Sequence, residues 1–301
     1  MKRTRNTKRL ICAATLSFLV FFSGCSTNNK VENTTMENGT VIQSTTTEQI
    51  VTTEHISIAE QSTSTEQITV VDKKTLSTEI VLATLNIAHG AAGLDVVAQA
   101  IREISPDIIG LQEVDVGCER SGYVDEVAEL ARLAGYDYHV FFKAIPLGDG
   151  EYGTALLSRY PIESFDVTPL ESGGGERRSV GHAVICIEEM KLDVLVTHLS
   201  YEDRSVRIEQ MKTIGKMLKN YDRYVLTGDF NCFDLGEMSN LEGAYYVSRP
   251  DRRYASFRRY SSFAPDNIVV SDGFVELSSG MSEAECSDHK MIYATFMLSG
   301  E

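Results

Sequence analysis

From about Glu79 onward the chain alternates between short apolar runs and amphipathic stretches. Ile80–Asn86 (IVLATLN) and Asp107–Gln112 (DIIGLQ) are brief runs rich in strand formers, which predicts strands buried within a sheet. Between them Val97, Ile101 and Ile104 recur at helical spacing behind Asp95, which predicts a helix capped by that aspartate. A second helix is predicted over about Val124 to Ala134, stopped by Gly135. A third is predicted where Ile208, Met211, Ile214 and Leu218 share one face. Further strands are predicted near Tyr138–Phe142, Tyr152–Ser158, Glu163–Thr168, Val180–Ile187, Leu192–Thr197, Tyr224–Thr227, Ile268–Ser271, Val275–Ser278 and Met291–Met297. Strands dominate and helices punctuate them, which implies an α+β domain with two sheets covered by helices.

The pattern is absent upstream. Lys2, Arg3, Arg5, Lys8 and Arg9 precede an apolar stretch from Leu10 to Phe22, the layout of an export signal and shorter than the roughly 20 residues of a membrane span. Phe22-Ser-Gly-Cys25 resembles a bacterial lipobox, whose processing would leave Cys25 lipidated, with ordinary signal cleavage as the alternative. One acyl chain anchors only marginally, so firm attachment needs more than one. Residues 26–78 are dense in Thr, Ser, Gln and Glu, and Ser44–Ile50 (STTTEQI) returns as Ser62–Ile68 (STSTEQI). Such a stretch buries too little apolar surface to offset its ordering entropy, and reads as a disordered tether. The expected organisation is therefore a signal at 1–25, a tether at 26–78 and one domain at 79–301, carried by a lipoprotein exported to the surface of a bacterial membrane.

Hydrophobic residues make up 43% of the chain, enough for a core. With 28 Lys and Arg against 43 Asp and Glu, the formal charge is −15, which argues against a strongly basic nucleic-acid binder. Nuclease chemistry is not excluded, because a divalent metal can neutralise an acidic site locally. An exported domain permits disulfides among Cys118, Cys186, Cys232 and Cys286, although buried free thiols suit them better.

Polar residues fall where apolar strands end. Asn86 closes one run and Glu113 follows another; His198 follows a third, Asp229 and Asn231 a fourth, and Asp288 and His289 precede the last. Each alone reads as a loop residue. Together, at the rim of a rigid scaffold, they can converge on one cleft. Hard oxygen ligands suit Mg²⁺, and histidines with further polar groups can activate water and stabilise charge on phosphorus. No Walker loop, nucleophile elbow or His-Glu-x-x-His occurs.

The ordered motifs resemble the endonuclease/exonuclease/phosphatase superfamily of metal-dependent phosphoester hydrolases. The likeness is carried by Leu85-Asn-Ile87, Leu111-Gln-Glu-Val114, Tyr152–Pro161 (YGTALLSRYP), Val196-Thr-His-Leu199, Thr227–Asn231 (TGDFN) and Ser287-Asp-His289. The resemblance implies a four-layer α/β/β/α sandwich. It implies that Glu113 is the main metal ligand, with Asn86 and Asp288 beside it. Asp229 would orient or deprotonate water, Asn231 position the phosphate and His198 stabilise the phosphoryl oxygens. His289, oriented by Asp266, would be acid, base or phosphate ligand. Whether Asp229 or His289 is the base stays open. Two positions depart from the family pattern: Thr154 stands where Asn is frequent, and Pro265 where an aliphatic residue usually precedes the aspartate.

The implied activity is Mg²⁺-dependent hydrolysis (Mn²⁺ or Ca²⁺ as alternatives) of a phosphoester by a monomer. Candidate substrates are nucleic acid, phospholipid headgroups and small phosphoesters. A DNase-like endonuclease and a non-catalytic binding module are the competing readings. For substrate contacts, Arg177 or Arg178 near the Val180 strand is a candidate. So are Arg258 and Arg259, in a run with Arg249, Arg252, Arg253, Tyr254, Phe257 and Tyr260 that could hold a phosphate or stack a base. His89 reads as a loop residue, and His139 and His182 as packing residues.

Overall fold

The computed structural model describes residues 77–241 and 244–299. The expected export signal, Cys25 and all of the expected tether except Ser77 and Thr78 lie outside the described residues. Those two belong to the first strand and pair with Ser299 and Leu298. Hydrogen bonding to a segment remote in sequence extends the strand here, and local composition carries no sign of it.

In chain order the elements are β1 (Ser77–Asn86), α1 (Leu94–Ile104), β2 (Ile108–Val116), α2 (Glu126–Ala134), β3 (Tyr138–Leu147), β4 (Gly150–Ser158), β5 (Ile162–Leu170), β6 (Arg178–Ile187), β7 (Met190–His198), α3 (Arg204–Leu218), β8 (Tyr224–Asp229), β9 (Tyr245–Tyr246), β10 (Asp266–Val270), β11 (Phe274–Met281) and β12 (Ile292–Ser299). They form two six-stranded mixed sheets, ordered β11-β12-β1-β2-β4-β3 and β5-β6-β7-β8-β10-β9. β1 with β2 and β7 with β8 are the parallel pairs.

Side-chain alternation sets the layers. On β1, Ile80 and Leu82 join a core between the sheets, while Ala83 and Leu85 join a second core under α1 and α2. On the second sheet Val194, Val196 and Val225 face the first sheet, and Leu195 and Leu226 meet Met211, Ile214 and Leu218 of α3. The result is the expected α/β/β/α order. The sheets close tightly at two glycines: a Cβ on Gly110 would strike the Thr227 side chain, and one on Gly181 would strike the Phe142 ring.

Aspartate side chains cap two of the helices. Asp125 accepts from Ala128 N ahead of α2, and Asp203 from Ser205 N ahead of α3. Gly135 ends α2 with φ of 79°. α1 differs: Gly93 holds its N-cap position without a side-chain bond, and Asp95 lies in the first turn, where its charge favours the helix N-terminus. All four cysteines of the domain are free thiols. His182 is buried between Asp166 and Asp193, at 2.9 and 2.7 Å, and stacks on Tyr221; His139 is exposed rather than packed. Among the described residues no helix is long and apolar enough to cross a membrane.

Candidate active site

The period-two rule that buries Ile80 and Leu82 between the sheets carries Thr84 and then Asn86 onto the same face at the strand end. Likewise Val194 and Val196 lead to His198 on β7, Val225 and Thr227 lead to Asp229 on β8, and Val270 and Ile268 lead back to Asp266 on β10. Register then aligns them: His198 pairs with Asp229, and Asp229 with Asp266. The inter-sheet core therefore ends in a polar row. Asn86 crosses the gap, donating to Asp229 Oδ2 at 3.1 Å and to Glu113 Oε1 at 3.1 Å.

Glu113 reaches this row through a β-bulge. Leu111 pairs with Ala155 and Val114 with Gly153, so Gln112 and Glu113 together oppose Thr154. Glu113 sits at φ of 55°, a left-handed conformation that costs a glutamate on the order of 1–3 kcal/mol. The extra residue re-aims the strand, returns Val114 to the helix-facing core and leaves the carboxylate half-buried on the cleft wall.

Asp229 is buried at the floor of the row. Its Oδ1 accepts from Asn231 N at 2.9 Å, and its Oδ2 lies 3.6 Å from His198 Nε2 and 3.8 Å from His289 Nε2. Burial, reinforced by Asp266, raises its pKa to about 6. The two histidines are held in opposite ways. His198 Nδ1 faces Arg178 Nη1 at 3.0 Å. A guanidinium only donates, so this ring is neutral with its proton on Nε2. Burial, then Arg178 and His289, push its pKa well below the ordinary range. His289 Nδ1 lies 2.7 Å from Asp266 Oδ2, which also accepts from Ser256 Oγ at 2.6 Å. Burial opposes charge on His289, but Asp266, followed by Asp229 and Asp288, outweighs it and raises the pKa to about 10.

These groups open onto one cleft of about 520 Å³, which Glu113, Arg178, His198, Asp229, Asn231, Asp288 and His289 all line. Ser287 Oγ donates to the Asn86 carbonyl at 2.7 Å and so ties the terminal motif to the first strand. Asn231, at φ of 50°, anchors its amide on the Leu199 carbonyl at 3.0 Å. Asn86, an expected metal ligand, turns its N–H groups toward the carboxylates, and its oxygen accepts from Ala88 N at 3.0 Å. It is a brace between sheets in this arrangement. Asp229, Asp266 and His289 bring ligand atoms within 4.8 Å of one another. The Asp266–His289 and Asp266–Ser256 bonds make that group a charge-assisted hydrogen-bond network. Glu113, half-exposed, and Asp288, exposed, offer hard oxygens better suited to a hydrated divalent cation.

The arginines sort differently from the sequence reading. Arg178 is buried on the cleft wall and Arg177 is exposed away from it. Arg258 does not reach the cleft: its Nε donates to the Ser287 carbonyl at 3.0 Å and its Nη2 to the Ala284 carbonyl, which braces the loop before His289. Arg259 is exposed and lies over the Tyr260 ring. Sequence reasoning missed Arg120, which is clamped by Asp115 at 2.7 and 2.8 Å and lies over the Tyr152 ring. It also discounted His89, which lines the cleft at φ of 44°. Phe233, Phe257 and Phe263 also line the cleft, and the Phe257 ring lies 4.9 Å from that of His289.

Comparison with known proteins bears on the fold and the family. The chain is 26% identical over 165 residues to the uncharacterized protein YbhP of Escherichia coli (strain K12), a match over 49% of this chain and 65% of that protein. It thus spans just under two thirds of the curated relatives it matches. Its fold is similar to that of an endonuclease/exonuclease/phosphatase from Beutenbergia cavernae, with a TM-score of 0.63 and 21% identity, covering 73% of this chain and 72% of that one. It is also similar to a mannosyl-6-phosphatase from Bacteroides thetaiotaomicron, with a TM-score of 0.55 and 15% identity, covering 71% and 98%. Residues 83–289 match the family model for the Endonuclease/Exonuclease/phosphatase family, and the chain belongs to that family.

Proposed function

We propose that the protein is a Mg²⁺-dependent phosphodiesterase or phosphatase in which water attacks phosphorus in line, without a covalent enzyme intermediate. Members of its family are phosphoesterases that act on phosphorylated substrates and generally depend on a divalent metal. The observation that carries the finer reading is the approach of two unlike histidines to one oxygen of Asp229, beside two solvent-facing carboxylates.

The chemistry follows from that contrast. Asp229, ionised above about pH 6, accepts the proton of the attacking water. Neutral His198 donates from Nε2 to a phosphoryl oxygen and cannot compete as a cation. Protonated His289 gives up a proton to the departing alkoxide as the P–O bond breaks, and Asp266 holds its ring in place. Asn231 positions a phosphoryl oxygen at the cleft wall. A divalent ion held by Glu113 and Asp288 would neutralise negative charge on the phosphate, and the oxygen-rich donor set fits Mg²⁺.

Turnover of bis-p-nitrophenyl phosphate and p-nitrophenyl phosphate, with Mg²⁺, Mn²⁺ or Ca²⁺ and with EDTA, tests this reading. Glu113→Ala and His289→Ala are each expected to lower turnover about a thousandfold. Unchanged rates in both variants would overturn it. A tethered, surface-exposed enzyme is the expected setting; radiolabelled palmitate incorporation that is lost in Cys25→Ala supports it, and incorporation that persists rejects it.

A further inference from the structure

We infer that the substrate of this cleft carries a flat ring beside the scissile phosphate and a second anionic group beyond the ring, taken up by Phe233 and Arg253 respectively; this rests on the phosphoesterase reading above. Phe233 lies two residues past Asn231, so the catalytic loop itself carries it. Its side chain is 65% exposed yet stacked on Phe263, with centroids 4.3 Å apart and planes at 16°. The pair forms a ridge between two cavities. One is the catalytic cleft. The other, about 390 Å³, is lined by Phe233, Phe263, Arg253, Tyr260 and Ser262, with no acid among the described residues.

Charge points the same way. Arg120 and Arg178, the arginines that line the catalytic cleft, are paired with Asp115 and Glu176. Arg249 and Arg252 are bound to Asp251 and Glu276. Arg253 gives one hydrogen bond, to the Phe233 carbonyl at 3.1 Å, and meets no carboxylate among the described residues. In a chain of charge −15, an arginine left with free donors at a cavity mouth is placed for an anion. The bond from Arg253 to the Phe233 backbone fixes the spacing between ring platform and cation. Among the described residues Arg253 is the one arginine that lines this second cavity, and one lining cation does not suit an extended duplex, which needs several phosphate contacts. It suits one ring and one further phosphate.

The test is steady-state kinetics of the Mg²⁺-loaded full chain on p-nitrophenyl phosphodiesters that share a leaving group. The second ester is methyl, octyl, phenyl, thymidine, or thymidine bearing another phosphate on its sugar. Stacking is expected to raise kcat/KM about tenfold from methyl to thymidine, and charge pairing about tenfold again with the extra phosphate. Phe233→Ala collapses the first ratio toward one and Phe233→Tyr restores it; Arg253→Gln collapses the second ratio alone. A phenyl ester that equals thymidine supports the ring platform with an aryl occupant, and a thymidine ester that exceeds phenyl supports it with a nucleobase. Equal rates for methyl and thymidine, an octyl ester that outruns both, or gains that survive both substitutions would overturn the inference. Failure of the phosphoesterase reading looks different: even the methyl diester shows no turnover above the EDTA control. Phe233 is surface-exposed, so its variants are expected to fold, and equal melting temperatures check this.

Discussion

The two sheets meet at the cleft with unlike ends. The second sheet contributes His198, Asp229 and Asp266, buried and bound to one another or to neighbouring side chains. The first contributes Glu113, half-exposed, strained and, among the described residues, touched by Asn86 alone in side-chain hydrogen bonding. Chemistry and stability are therefore coupled on one side and opposed on the other. Buried charges survive only when paired, so removing one leaves its partner exposed to the full desolvation cost. A strained, solvent-facing carboxylate contributes nothing comparable to the fold.

Substitutions can break or sharpen that contrast. The largest effect is expected for Asp266→Ala, which strips His289 and Ser256 of their shared acceptor and should cost about 3–5 kcal/mol in urea unfolding. Next is the pH dependence of stability, measured in EDTA. His289 binds its proton more tightly in the native state, with a pKa near 10 against an ordinary value of about 6.5. Its contribution is complete below about pH 6.5 and is lost as pH rises toward 10, at up to about 1.4 kcal/mol per pH unit. His289→Gln should flatten that slope; an unaltered slope would place its origin elsewhere. Asn86→Ala removes the bridge between the sheets and should cost about 2 kcal/mol, since Asp229 keeps other donors. The smallest effect has the opposite sign. Glu113→Gly should stabilise by about 1 kcal/mol while abolishing turnover, because glycine adopts the left-handed bulge freely. A loss as large as that of Asp266→Ala would erase the distinction between the two ends.

Much of this was legible in the residues. Apolar runs of strand length located the sheets, and polar residues at their ends located Asn86, His198 and Asp229, because period-two alternation continues to the last rung. Geometry that depends on distant partners was not legible. The bulge at Glu113 is defined by pairing with β4, some forty positions away in the chain. Arg258 looked like a substrate ligand because its carbonyl partners at Ala284 and Ser287 leave no mark on the local sequence. Arg120 was overlooked for the converse reason: a turn after a strand is an ordinary place for an arginine until the buried Asp115 and the Tyr152 ring fix it at the cleft.

The irregularity in β2 also says how little separates this molecule from an inert one. Excising Glu113 would let Leu111 and its successors continue their pairing with β4 unbroken. The ladder would gain regularity and the fold would lose a point of tension. What would vanish is the single acidic group that the first sheet lends to the cleft. Under the proposed phosphoesterase reading, reactivity here is an insertion tolerated by an otherwise self-sufficient scaffold, and healing the scaffold would silence it.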